Sequence, residues 1–105
     1  METDLRRSPR VPFIASAEVI EVASEVCMKA RTGDISRHGC YMDMLTPLPL
    51  GTTVKVQITN DAGTFAAIAG VVFTHSHLGM GLAFQQIEPS NQTTLERWLN
   101  DSSSA

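Results

Sequence analysis

Two short stretches of this sequence concentrate the residue types that could do chemistry. "LRRSPR" holds Arg6, Arg7 and Arg10, three of the chain's 8 lysines and arginines, although the formal net charge is −3. A guanidinium grips a phosphate or the O6 and N7 edge of guanine with two parallel hydrogen bonds, and its plane stacks on a purine. The second stretch is "GDISRHG", Gly33 to Gly39. At the end of a strand, side chains two apart leave the same face, so Asp34 and Ser36 form a pair of acceptors. An ionised carboxylate accepts two bonds side by side, which matches the N1 and N2 donors of guanine. Gly33 and Gly39 bracket the pair at positions where the backbone can turn or let a ligand come close. Arginines and acceptors together suit a ligand that carries both guanine and phosphate.

Other chemistries lack their residues. His38, His75 and His77 are the only 3 histidines. His75 and His77 share a strand face, but no third ligand lies near them in sequence, so no metal is expected. There is no GxSxG, no Walker loop and no HExxH, and Asp34 has no partner carboxylate for acid and base roles; an enzyme is not expected, and neither is a cofactor. Cys27 and Cys40 sit in strand-like segments outside any CxxC pair, which predicts two buried, reduced thiols. The acidic balance argues against broad nucleic-acid coating. A barrel binding RNA or single-stranded DNA would need surface aromatics, whereas the six here, Phe13, Tyr41, Phe65, Phe73, Phe84 and Trp98, mostly fall in the apolar phase. No apolar run is long enough to span a membrane and no signal-peptide stretch opens the chain, which predicts a cytoplasmic protein with no membrane insertion.

The 105 positions make one domain, and 43% hydrophobic with 18% charged residues is ordinary for a globular one. Residues 1–12, with Pro9 and Pro12, read as a flexible, extended arm. "FIASAEVIEV" alternates as a strand with Phe13, Ala15, Ala17 and Val19 on its apolar side, and "EVCMKARTGDI" and "GCYMDM" follow as two more. "TVKVQIT" puts Val54, Val56 and Ile58 inward; "NDAG" is a hairpin signal; "TFAAIAGVVFTH" and "LGMGLAF" flank "HSH". Six short strands predict a small antiparallel barrel or sandwich. "PSNQTTLERWLN" predicts an amphipathic helix with Ser90 as N-cap and Leu95, Trp98 and Leu99 on one face. The expected division is thus arm 1–12, barrel and helix 13–100, and a disordered tail 101–105.

In motif order the sequence resembles the PilZ domain family, the bacterial receptors for cyclic di-GMP. The resemblance rests on "RRSPRVPF" with Arg6 and Arg10 as RxxxR, "DISRHG" as DxSxxG, "PLPLGTTVKVQI", "GMGLAF" and the closing helix. It implies an all-β, six-stranded antiparallel barrel with a short C-terminal helix. It also implies that Arg6 and Arg10 bind phosphates and guanine edges, that Asp34 and Ser36 hydrogen-bond a guanine, and that Gly39 lets the backbone pass close to the ligand. Arg7 is a helper, and Arg37 and His38 are weaker candidates. His38 stands where the family often has glycine, and Leu5 where some members have another arginine, which favours one nucleotide per chain. The implied mechanism is an arginine arm that orders on the ligand and signals to a downstream protein partner. The alternative is an interaction module that works through Trp98 and the helix face with little or no nucleotide binding.

Overall fold

A computed structural model describes residues 9–103 of the chain. Seven strands precede one helix: β1 (Val11–Pro12), β2 (Ser16–Glu21), β3 (Cys27–Ile35), β4 (Gly39–Asp43), β5 (Thr53–Asn60), β6 (Gly63–His75), β7 (Gly79–Gln86) and α1 (Pro89–Ser103). The order β3-β2-β5-β6-β7-β4, closed by a β4–β3 pairing, makes a six-stranded antiparallel barrel, with β1 as an extra strand on β3. Closure follows from the patterns. Ala17 and Val19 of β2, Val54, Val56 and Ile58 of β5, and Met80 and Leu82 of β7 all turn into one core, where burying each aliphatic side chain is worth about 1.5–3 kcal/mol. The intervening positions, such as Glu18, Thr53 and Lys55, stay in water.

The β5–β6 hairpin turns at Asp61 and Ala62. Asn60 Oδ1 accepts a hydrogen bond of 2.8 Å from Ala62 N, and Gly63 takes φ of 146°, a conformation open to glycine.

Several features depart from the sequence reading. The arm's last residues, Val11 and Pro12, pair with Ile35 and Asp34. Pro12 is tolerated because β1 is an edge strand. From Val11 to Ser16 is five steps against four from Ile35 to Arg31, so the chain bulges between β1 and β2. Buried Thr32 holds the bulge: its hydroxyl donates to Phe13 O and accepts from Ala15 N. Cys27 is exposed, since it shares the outward phase of Lys29 and Arg31, while Cys40 is buried. The helix begins at Pro89, where proline fits the first turn, so Ser90 lies inside it, and the helix continues to Ser103, past the expected end.

Helix α1 rests on β6 and β1. Leu95 and Trp98 are buried, and Trp98 stacks on Phe13 with ring centroids 5.1 Å apart, beside Phe65 at 6.3 Å. Asn91 Oδ1 accepts a 2.9 Å hydrogen bond from Ala66 N, which fixes the helix on β6. No helix among the described residues is long and apolar enough to cross a membrane.

Candidate functional site

The end of β3 and the β3–β4 turn form the centre of the site. Cys27, Lys29 and Arg31 point outward along β3, and strict alternation would send position 34 inward. The β3–β4 register shifts between Thr32 and Asp34 instead, so Asp34 points out and Ile35 becomes core. A bulge that re-aims one side chain is a usual device beside binding sites. Beyond Ile35 the turn is held internally: Ser36 N donates to Gly39 O at 2.8 Å, Ser36 Oγ donates to the same oxygen at 3.3 Å, and His38 N donates back to Ser36 Oγ at 3.2 Å.

Gly39 has a structural necessity beside the ligand approach expected of it. Its φ is not in the left-handed region, and neither is that of His38, so His38 carries no such strain. A Cβ on Gly39 would stand 2.1 Å from Leu82 O, where β4 runs against β7 at the Gly39↔Ala83 pair. The glycine permits strand contact next to the turn. Gly33 is under no such pressure, as a Cβ there would meet only side-chain atoms at 3.4 Å and beyond.

Pairing of β1 with β3 carries Arg10 to Asp34. Arg10 Nη1 lies 3.7 Å from Asp34 Oδ2, with 34% and 30% of the two side chains exposed. That distance is an ion pair, but it is too long for a hydrogen bond. Asp34 Oδ1 is buried and has no hydrogen-bond partner among the described residues. Toward the described residues the carboxylate therefore keeps unused acceptor capacity on both oxygens. Behind it, burial pushes the Cys40 thiol up to about 12, helped by the charge of Asp34 and partly opposed by Arg10.

Arg10 and Asp34 are thus brought together, buried Ser36 and Gly39 are joined to each other in the turn that follows β3, and Arg6 and Arg7 lie outside the described residues. Arg37 turns to the helix: its Nη1 is 2.9 Å from Glu96 Oε2, which also accepts from Gln92 Nε2 at 3.0 Å. A shallow groove of about 370 Å³, lined by Arg37, His38, Phe84 and Gln92, opens between the turn and α1. His75 and His77 do not converge; His75 Nδ1 meets Tyr41 Oη at 3.3 Å, and His77 sits in the turn with φ of 66°.

Tyr41 was missed in the sequence reading. It is the direct cross-strand partner of Asp34 on the outer face, and its odd phase between inward Cys40 and Met42 was the available signal. Phe73 likewise stands outward, because a bulge between Val71 and Phe73 reverses the phase of β6.

The architecture and one sequence family agree. The PilZ domain matches over residues 4–101. The PilZ domain of YcgR from Escherichia coli, solved with c-di-GMP, superposes with a TM-score of 0.77 at 16% identity, covering 94% of this chain and 92% of that one. The PilZ domain of CeSA from a cellulose-synthesizing bacterium gives 0.71 at 19% identity, over 90% and 97% of the two chains. The MrkH–c-di-GMP complex of K. pneumonia gives 0.79 at 18% identity, over 94% of this chain but 52% of MrkH. At these identities the likeness is one of fold. No curated protein matches by sequence. A family match that runs from the arm to the helix, on a closed barrel whose bulged strand turns Asp34 out toward Arg10, leads to one assignment: the chain belongs to the PilZ domain family.

Proposed function

We propose that this chain binds cyclic di-GMP between its arginine arm and the Asp34 end of β3, and that the bound state is what a downstream protein reads, with no catalysis by the chain itself. One observation carries the reading. Asp34 is held outward by a bulge and, among the described residues, its Oδ1 has no hydrogen-bond partner and its Oδ2 is met only by the distant Arg10 guanidinium. A buried acceptor left unmade costs about 1–3 kcal/mol, and the N1 and N2 donors of a guanine would remove that cost. Arg10 would then be free to stack on the base or to hold a phosphate. Arg6 and Arg7 would add guanidiniums against the ligand's two phosphates. Ser36 would contribute by rotating its hydroxyl from Gly39 O toward the base edge.

The solved relatives support the ligand's identity, since the YcgR domain and MrkH are complexes with c-di-GMP. Signalling would run from the arm to the helix. Phe13 follows the arm directly and stacks on Trp98, and Arg37 of the turn pairs with Glu96 of α1. An interaction module built on Trp98 is less well supported, because Trp98 is 2% exposed and cannot serve as a docking anchor in this state.

Titration calorimetry with cyclic di-GMP, and GTP as control, tests the proposal. Micromolar or tighter binding that GTP does not reproduce is expected. The absence of heat at several temperatures overturns it.

A further inference from the structure

The outer face beside Asp34 contains a feature that the arm and turn do not explain. Asp34 on β3 pairs with Tyr41 on β4, Tyr41 with Gly81 on β7, and Gly81 with Phe73 on β6, so the four lie in one row across four strands. The two glycines of β7 leave room for the rings to lie down. A Cβ on Gly81 would come within 2.2 Å of the Phe73 ring, and one on Gly79 within 2.8 Å of Tyr41 Oη. Both rings therefore cover the β7 backbone, with 6.0 Å between centroids and 26° between planes. His75 closes one side, with its ring centroid 5.9 Å from Tyr41 and 5.3 Å from Phe73. Neither Tyr41 nor Phe73 belongs to the core, yet both remain only half-buried.

A flat aromatic surface that continues from a guanine-accepting carboxylate selects its occupant by geometry and charge. A purine stacks on such a surface while Asp34 accepts from an N–H edge, and Arg10 beside Asp34 and Arg31 beside Asp43, each 3.7 Å from its carboxylate, leave cations for the phosphates that join the bases. We propose that Tyr41 and Phe73 form the stacking platform for the second guanine of the dinucleotide whose first guanine is held at Asp34. This rests on the cyclic di-GMP reading above and adds two residues to the site. The phosphates that join the two guanosines keep the second base within reach of the neighbouring residue in the row.

The test is calorimetry of cyclic di-GMP against the wild type, Tyr41→Leu, Phe73→Leu and Tyr41→Phe, with proton NMR of the guanine H8 signals in the wild-type complex. Loss of a stacking ring weakens binding about fivefold to a hundredfold, so both leucine variants are expected to show that loss and Tyr41→Phe to keep its affinity. At least one H8 signal is expected to move upfield on binding. If the wild type binds but the leucine variants stay within twofold of it, the platform is wrong and the receptor reading stands. If the wild type does not bind, both fail. Should the leucine variants not fold, an unmoved H8 pair in the wild-type complex overturns the platform by itself. Tight binding of a single-stranded RNA oligomer, lost in the same variants, overturns guanine as the occupant.

Discussion

Gly39→Ala separates two reasons for a glycine at the end of DxSxxG. The structure ties it to the barrel: the added methyl would lie 2.1 Å from Leu82 O, while ordinary contact begins at 3.4 Å. Strands β4 and β7 would have to separate by about 1.3 Å at that pair to restore ordinary contact. The adjacent hydrogen bond from Phe84 N to His38 O, now 2.8 Å, would lengthen beyond use. Overpacking costs about 1–3 kcal/mol. The lost bond adds about 1 kcal/mol. The variant should therefore be about 2–4 kcal/mol less stable, a large share of a domain's usual 5–15 kcal/mol. Urea unfolding followed by the fluorescence of Trp98 would show the midpoint fall by about 1–3 M at ordinary m-values. Gly33→Ala, whose nearest neighbours are side-chain atoms at 3.4 Å and beyond, should cost far less. A Gly39→Ala protein with the wild-type midpoint but weakened ligand binding would refute the argument, because the glycine would then serve the ligand alone.

The two thiols should behave differently toward a disulfide reagent at pH 8. Exposed Cys27 is expected to react in the folded protein and buried Cys40 only after unfolding, and equal rates would contradict the placement. Cys40 holds its proton more tightly folded than unfolded, with a pKa raised from 9.0 to about 12. Its contribution to stability is thus intact below pH 9 and declines as pH rises toward 12. Tyr41, raised by partial removal from water and then by Asp43 and Asp34, acts in the same direction. Denaturation midpoints measured across that range should fall. Thr32→Val keeps the shape but strands Ala15 N and Phe13 O at the β1–β2 bulge, so a loss of about 1–3 kcal/mol is expected in thermal unfolding. Glu96→Gln should change stability by less than about 1 kcal/mol, since the Arg37–Glu96 pair is half in solvent.

Period-2 alternation made most of the barrel legible. Val54, Val56 and Ile58, and Ala15, Ala17 and Val19, are inward as their pattern required. What escaped were features set by register. A two-residue strand ending in Pro12 carries no period, so β1 exists only through its pairing with β3. Bulges at Thr32/Asp34 and Val71/Phe73 reverse the alternation, which hid both the cause of Asp34's outward turn and the outward placement of Phe73. The exposure of Cys27 was readable from its phase with Lys29 and Arg31. In the candidate site the acceptor turn was legible as DxSxxG. The unmet Oδ1 of Asp34 and the closeness of Leu82 O to Gly39 needed the third dimension.

The central claim is that Arg10 and Asp34 are two halves of one cyclic di-GMP site. Its most direct test is a calorimetric double-mutant cycle with Arg10→Ala, Asp34→Ala and the pair, each titrated with cyclic di-GMP. A charge-assisted contact is worth about 1.5–3 kcal/mol, so each single substitution should weaken binding about ten- to a hundredfold. Because both act on one ligand, the double variant should lose less than the product of the two. Wild-type affinity in either single variant would contradict the claim.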